Sequence, residues 1–249
     1  MVAYIGLTYG RKDDMAEIAI GLSVGESLGD DVLARRGSLP TKMAPVTLTG
    51  SRIQLVPLDL ARDVESLHAV SNGQPAKLGE RRVDAYDPDA LVWRYMAGGP
   101  FAHAGDLGAW LRAQVESPNV LPLTVFEQAT DRPVGVATFM ANMPEHLKVE
   151  LGSIWYSPLA QRTGANLEAT YLMLGHAFAL GYRRVEWKCD TLNGRSRAAA
   201  LKMGFTFEGI QEAHYIVKGR NRDTAWFRIL DREWPDVKTR LESLLARLV

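Results

Sequence analysis

Three successive strand patterns in the middle of the chain constrain its fold more than any other feature. Residues 121–127, 134–139 and 148–156 alternate apolar and polar side chains with the period of two that is typical of β-strands. Thr-Asp at 130–131 and Met-Pro at 143–144 separate these segments and favour turns. The pattern predicts three sequential strands that form an antiparallel meander.

The strongest helix pattern follows this meander. Leu167, Tyr171, Leu174 and Phe178 recur at helical spacing, and Gly181 stands where a left-handed residue commonly ends a helix. The later elements are predicted as a strand at 184–190, a helix at 196–203, strands at 205–217 and 224–230 with a turn at 219–224, and a helix at 233–248.

The region before the meander is predicted to be rich in helices. Residues 53–57 alternate as in a strand, and Asp59 or Asp63 can cap the helix that follows. A second helix is expected to begin at Asp106, after a stretch at 72–100 that is rich in Gly, Pro and Asp.

The composition excludes several functional classes. The 249 residues suffice for one large core, and 47% hydrophobic with 23% charged residues is ordinary for a soluble globular protein. Lys plus Arg and Asp plus Glu both number 29, so no net charge attracts nucleic acid or an anionic membrane. We see no long apolar run and no signal sequence, and we therefore expect a cytoplasmic location. The single cysteine, Cys189, is expected in the core, and we expect no metal.

Residues 1–44 differ from the rest and are predicted to form an N-terminal arm, with the main domain at 45–249. Glycines and the acidic pairs at 13–14 and 30–31 interrupt its short apolar stretches. An alternative is that Met43 is the natural start and that the earlier residues come from an upstream start choice. The sequence assigns no function to this arm.

The loop at 156–168 carries the clearest chemical signal. It connects a predicted strand to the strongest helix, whose unpaired amides and positive dipole end suit a phosphate or pyrophosphate. Gly164 allows the backbone to approach a ligand closely, and Arg162 can add a charged contact to the same anion. By itself this loop also fits an ordinary tight turn.

This loop resembles a known signature. Gln161 to Asn166, with the sequence Gln-Arg-Thr-Gly-Ala-Asn, is similar to the Gln/Arg-x-x-Gly-x-Gly/Ala signature that cradles the CoA pyrophosphate in the GNAT superfamily of N-acetyltransferases. Asn166 departs from the Gly or Ala that is usual there. Because Asn tolerates left-handed backbone and is a good helix cap, the loop is expected to survive this change.

Motifs further along the chain resemble one branch of that superfamily. Asn193 and Ser196, followed by Met-Gly-Phe at 203–205 and Phe-Glu-Gly at 207–209, are similar to the run found in the RimJ/RimL-type branch. That branch includes ribosomal-protein N-terminal acetyltransferases and small-molecule relatives. The resemblance covers roughly residues 46–234 and leaves the arm uncovered.

The resemblance implies an α/β fold of the α+β mixed kind: a twisted, mostly antiparallel sheet flanked by helices. The strands at 148–156 and 184–190 should splay apart to admit the pantetheine arm of acetyl-CoA, the expected co-substrate. The residues expected to bind it are Ser153, Ile154 and Trp155 on the first of these strands, Gln161, Arg162, Thr163, Gly164, Ala165 and Asn166 in the loop, and Asn193 and Ser196 across the cleft.

The same resemblance suggests two catalytic residues. Glu150 is the candidate base that accepts a proton from the amine, and its alternative role is an ordinary strand carboxylate that faces solvent or pairs with Lys188. Ser196 is the candidate hydroxyl beside the CoA sulfur, and its alternative role is a simple residue near a helix start. His214 is a weaker candidate base.

We therefore predict an N-acetyltransferase that moves acetyl from acetyl-CoA to a primary amine by direct attack. The acceptor is a protein N-terminus or a small molecule, and the sequence does not choose between them. Alternatives are a catalytically silent acyl-CoA sensor and an acyltransferase that uses another donor, such as succinyl-CoA. We expect no nucleic-acid or membrane partner, while a homodimer is possible.

Overall fold

A computed structural model describes residues 25–248. Its main feature is an eight-stranded sheet with the strand order β1-β2-β5-β6-β7-β8-β10-β9, and β3 and β4 form a separate hairpin. The strands are β1 Leu48–Thr49, β2 Ile53–Pro57, β3 Ala76–Leu78, β4 Arg81–Val83, β5 Leu121–Glu127, β6 Arg132–Met143, β7 Lys148–Tyr156, β8 Arg184–Asp190, β9 Thr206–Val217 and β10 Arg220–Leu230. Every neighbouring pair in the large sheet is antiparallel except β7 and β8, which are parallel.

Helices cover both faces of this sheet. They are α1 Asp30–Ser38, α2 Leu60–Ala69, α3 Ala104–Glu116, α4 Ala165–Ala179, α5 Gly194–Lys202 and α6 Trp234–Ala246, with a π-helical turn at Asp89–Trp93 and 3₁₀ turns at Pro144–His146 and Asp231–Glu233. The mixed, mostly antiparallel fold predicted from the sequence is confirmed. No helix within residues 25–248 combines the length and the apolar character needed to cross a bilayer.

The predicted meander is confirmed, because β5, β6 and β7 pair antiparallel in sequence order. The bounds of β7 and β8 agree with the predicted strands. The predicted turn at 219–224 was wrong, since the reversal lies at Lys218 and Gly219, both with positive φ. Residues 220–222 instead pair with 215–217 and begin β10.

Two apolar clusters occupy the two faces of the sheet. One contains Val149 and Leu151 of β7 together with Leu174 of α4. The other contains Val136 of β6 and Trp155, under helices α2 and α3. Alternation along β7 therefore places Glu150 on the face that α2 and α3 cover in part.

The parallel pairing of β7 with β8 ends after only three residue pairs. Pairing runs from Lys148 with Arg184 to Glu150 with Glu186 and then stops. Just beyond, β7 is bulged against β6, and Ser153 in the bulge has a φ of 47°. The bulge bends β7 away from β8, so the predicted splaying of these strands is confirmed and opens a cleft between them.

Glu168 fixes the start of α4 beside this cleft. This first-turn residue is buried, and its carboxylate accepts hydrogen bonds from the backbone amides of Ser51, Arg52 and Ile53. Charged acceptors make the stronger backbone hydrogen bonds. The contact therefore ties the N-terminus of α4 to the beginning of β2.

The described part of the predicted arm, residues 25–44, packs against the main core. Met43 is buried in that core, and the Asn142 side-chain amide donates to the carbonyls of Pro40 and Thr41. Residues 1–24 of the predicted arm lie outside the described residues. The division at residue 44 stays a prediction.

Candidate active site

A groove with a volume of about 520 Å³ opens between the diverging ends of β7 and β8. Its walls come from the end of β7, the loop before α4, helix α5, the segment at 91–96 and the last turns of the chain. Of the predicted cofactor-binding residues, the groove is lined by Ile154, Trp155, Gln161, Arg162, Gly164, Asn166, Asn193 and Ser196. Ser153, Thr163 and Ala165 do not line it.

The loop before α4 presents a row of unpaired amides. Gly164 is the N-cap of the helix with a φ of 91°, and Arg162 is also left-handed with a φ of 65°. Within the described residues, no hydrogen bond is donated by the backbone amides of Arg162, Thr163, Gly164, Asn166 and Leu167. Such amides at a helix start form an anion-binding site.

Asn166 does not play the role expected for it. It is the second residue of α4, with the cap position taken by Gly164, and so neither left-handed backbone nor capping explains it. Its side-chain Oδ1 is buried without a hydrogen-bond partner among the described residues. An orphaned acceptor facing the groove fits a ligand that can donate a hydrogen bond.

Gln161 contributes through its side chain in a way that the sequence did not reveal. Its Nε2 donates to the carbonyls of Tyr156 and Leu91, which joins the loop to the segment at 89–96. We call residues 89–96 the cover segment. They lie in the Gly, Pro and Asp-rich stretch that gave no functional signal.

The cover segment bridges the two sides of the cleft. Tyr95 donates its hydroxyl hydrogen to the carbonyl of Leu192, and Arg195 of α5 donates to the carbonyl of Ala90. Lys218 at the β9–β10 turn donates to the carbonyl of Trp93 over 2.7 Å. These contacts join the segment to both sides of the cleft, and five of its residues line the groove: Leu91, Val92, Arg94, Tyr95 and Met96.

Ser196 presents a hydroxyl group to the groove. Its Oγ accepts a hydrogen bond of 3.0 Å from Trp187 Nε1. Burial raises the pKa of the neighbouring Cys189 thiol, and a hydrogen bond from Ser196 opposes this rise. Asn193 caps α5, since its Oδ1 accepts from the Ser196 amide over 3.1 Å. The two predicted residues therefore lie together, with Asn193 positioning the turn that carries Ser196.

Glu150 is the last residue of β7 that pairs with β8, and it does not line the groove. It is 2% exposed, and its Oε2 lies 2.9 Å from Lys188 Nζ. The pairing with Lys188 that the sequence offered as an alternative is thus present, and the solvent-facing alternative was wrong. Burial raises the pKa of Glu150, and the charge of Lys188 opposes this rise.

Gly152 makes room for this carboxyl group. A β-carbon at Gly152 would stand 2.6 Å from Glu150 Oε1 and 2.5 Å from Met140 Sδ. The side chain of Glu150 therefore extends along β7 over Gly152, in the direction in which β7 and β8 separate. This direction points the carboxylate toward the part of β7 that no longer pairs with β8.

His214 lies further from the groove, on β9. Its ring packs on Tyr215 with a centroid distance of 3.8 Å. Burial lowers the pKa of His214, and the charges of Lys188 and Arg222 lower it further. His214 does not line the groove.

Comparison with protein families gives a match over most of the described domain. The model for the acetyltransferase (GNAT) domain matches residues 52–206. No protein with a curated description matches this chain in sequence.

Solved structures extend this similarity. A GCN5-related N-acetyltransferase from Brucella melitensis is 34% identical with a TM-score of 0.72, covering 81% of this chain and 86% of that one. A probable acetyltransferase of the GNAT family from Chromobacterium violaceum is 32% identical with a TM-score of 0.69, covering 79% and 92%. The ribosomal L7/L12 α-N-protein acetyltransferase RimL, in complex with coenzyme A, is 17% identical with a TM-score of 0.57 and covers 74% and 98%, which shows a shared fold.

Proposed function

The chain belongs to the GNAT family of acetyltransferases, and we propose that it moves the acetyl group of acetyl-CoA to a primary amine by direct attack. The family assignment makes it an acyltransferase that uses an acyl-CoA donor. The observation that carries the proposal is the row of unpaired amides at the start of α4, on the wall of a groove between splayed strands.

We propose that this loop holds the pyrophosphate of acetyl-CoA. The unpaired amides that line the groove, those of Arg162, Gly164, Asn166 and Leu167, would donate to its oxygens, and the Arg162 side chain would add charge. The bulge at Ser153 turns the following amides of β7, and one of them would donate to the thioester oxygen as it gains negative charge. When bound, acetyl-CoA supplies an acetyl group whose C–S bond breaks as the new N–C bond forms.

We propose that Glu150 and Ser196 handle the protons. Glu150 accepts one proton from the ammonium group of the acceptor, which frees the nitrogen lone pair for attack on the carbonyl carbon. Ser196 donates its hydroxyl proton to the departing sulfur and recovers a proton from the nitrogen. The nitrogen thus loses two protons. Glu150 takes the first, and Ser196 takes the second in place of the proton that it gave to the sulfur.

The finer assignments are proposals as well. The motifs at 193–196 and 203–209 support the RimJ/RimL-type branch, in which the acceptor is a protein N-terminus or a small amine. We also propose a cytoplasmic location, a domain boundary near residue 44 and a possible homodimer.

A thermal-shift measurement combined with a thiol-release assay tests the proposed function. At 100 times its Kd, acetyl-CoA should stabilise the protein by about 2.7 kcal/mol and raise the melting temperature by roughly 5–10 °C. Release of free CoA should then depend on an added amine. An unchanged melting curve at millimolar acetyl-CoA contradicts the donor site, whereas a shift without amine-dependent thiol release favours the silent sensor.

Ser196→Ala should lower kcat by roughly 10- to 100-fold, because the sulfur would leave without its proton donor. The KM for acetyl-CoA should change little, since the backbone cap by Asn193 remains. Ser196→Thr is the matched control, because it keeps a hydroxyl group at this position. Equal kcat values for the Ala and Thr variants would contradict the role of this hydroxyl.

A further inference from the structure

A second polar cluster lies on the sheet beside Glu150, on the face away from the pyrophosphate loop. Lys188 stands between the rings of Trp226 and Tyr215, at 5.1 and 5.7 Å from their centroids. The guanidinium carbon of Arg222 lies 5.6 Å from the centroid of the same Tyr215 ring. We call these side chains, with His214, the β9–β10 cluster.

The two cations of this cluster differ in whether a carboxylate lies in contact with them. Lys188 is paired with Glu150, and the nearby Glu186 is paired with Arg184 and Lys148 at 2.7 and 3.3 Å. The side chain of Arg222 forms no ion pair within 4.0 Å among the described residues, and its buried Nε has no hydrogen-bond partner there. Its charge reaches Glu150 only at longer range, where it lowers the pKa that burial raises. The guanidinium is therefore the cation of the cluster that has no carboxylate in direct contact within the described part of the chain.

Several polar atoms around Arg222 are buried without a partner in the described part of the chain. The atoms are Arg222 Nε, His214 Nδ1 and Thr224 Oγ1. Buried polar groups normally have partners, and a set of orphans around an unpaired guanidinium indicates a polar ligand.

We infer that the amine acceptor carries a carboxylate, which Arg222 binds while the amino group faces Glu150. This inference rests on the proposed function. A guanidinium binds a carboxylate through two parallel hydrogen bonds, and Nε is one of its donors. The aromatic rings of Tyr215 and Trp226 would pack against the carbon skeleton between the two ends. Two cations beside the site disfavour polyamines and other acceptors that carry several positive charges.

Matched acceptor pairs test this inference. We would compare L-phenylalanine with phenethylamine and L-leucine with isopentylamine, with spermidine as the polycation, by thiol release at saturating acetyl-CoA. The amino acid of each pair should have the higher kcat/KM. In the Arg222→Gln variant the KM for the amino acid should rise about 10- to 100-fold, with little change in kcat. The preference within each pair should then disappear.

Arg220→Gln is the control, because Arg220 is exposed on the same strand and should leave the preference intact. Calorimetric binding of the same compounds in the presence of CoA gives a readout that needs no turnover. Equal or better binding and turnover of phenethylamine, isopentylamine or spermidine overturns the inference, as does an unchanged preference in Arg222→Gln. Acetyl-CoA binding measured beforehand separates this failure from a failure of the proposed function.

Discussion

Replacing Glu150 with Gln is expected to lower kcat by about 100- to 10,000-fold, the usual contribution of a positioned general base. Gln keeps the shape of the side chain over Gly152 but cannot accept the proton of the ammonium group. The acetyl-CoA thermal shift should remain, because Glu150 does not line the groove that we propose to hold the donor. Steady-state kinetics and the thermal shift, measured on the same preparation, check both expectations.

The pH dependence of kcat/KM distinguishes a general base from a residue that only supports the fold. The base acts only when deprotonated, and burial raises the pKa of Glu150 above that of an ordinary carboxyl group. The value of kcat/KM for the wild-type enzyme should therefore fall on acidification at a higher pH than a solvent-exposed carboxylate would give. In Glu150→Gln this acidic limb should be absent.

Glu186→Gln is the matched control for Glu150. Glu186 is the register partner of Glu150 on β8, is equally well buried and is held by Arg184 and Lys148. If the loss of a buried carboxylate mattered only for folding, the two variants would behave alike. A Glu150→Gln enzyme with wild-type kcat and an unchanged acidic limb would remove Glu150 from the mechanism.

Elements governed by local chemistry were predicted well from the sequence. Strands β7 and β8 and the end of α4 at Gly181 follow from alternation, helical spacing and a left-handed glycine, which are properties of neighbouring residues. The loop that we propose to bind the pyrophosphate was recognisable for the same reason, because Gly164 precedes a strongly patterned helix.

The cover segment could not be predicted, because its position depends on distant side chains. Gln161, Arg195 and Lys218 each donate to a backbone carbonyl of this segment from a different element. Every residue has a backbone carbonyl, so the residue types of the segment do not show which of them accept these hydrogen bonds. The β9–β10 cluster was hidden in the same way, since only the folded sheet brings Lys188 and Arg222 to the same Tyr215 ring.

Gly164→Trp is expected to abolish the acetyl-CoA thermal shift and to raise the Kd for acetyl-CoA by at least about 100-fold. At a φ of 91° the backbone of this residue favours glycine, and a β-carbon there would collide with the Leu248 side chain. The indole ring would also occupy the space before the amides that we propose to bind the pyrophosphate. Several charge-assisted hydrogen bonds would be lost together.

The control must separate a blocked loop from a weakened fold. Gly219→Trp places the same ring at another left-handed glycine, with a φ of 72° and no atom within 4 Å of the new β-carbon. Both variants carry a similar backbone cost of about 1 kcal/mol, but only Gly164→Trp should lose the ligand-induced shift. Because the comparison uses the shift and not the absolute melting temperature, a common destabilisation cancels. A full shift with an unchanged Kd in Gly164→Trp would mean that the donor pyrophosphate binds elsewhere.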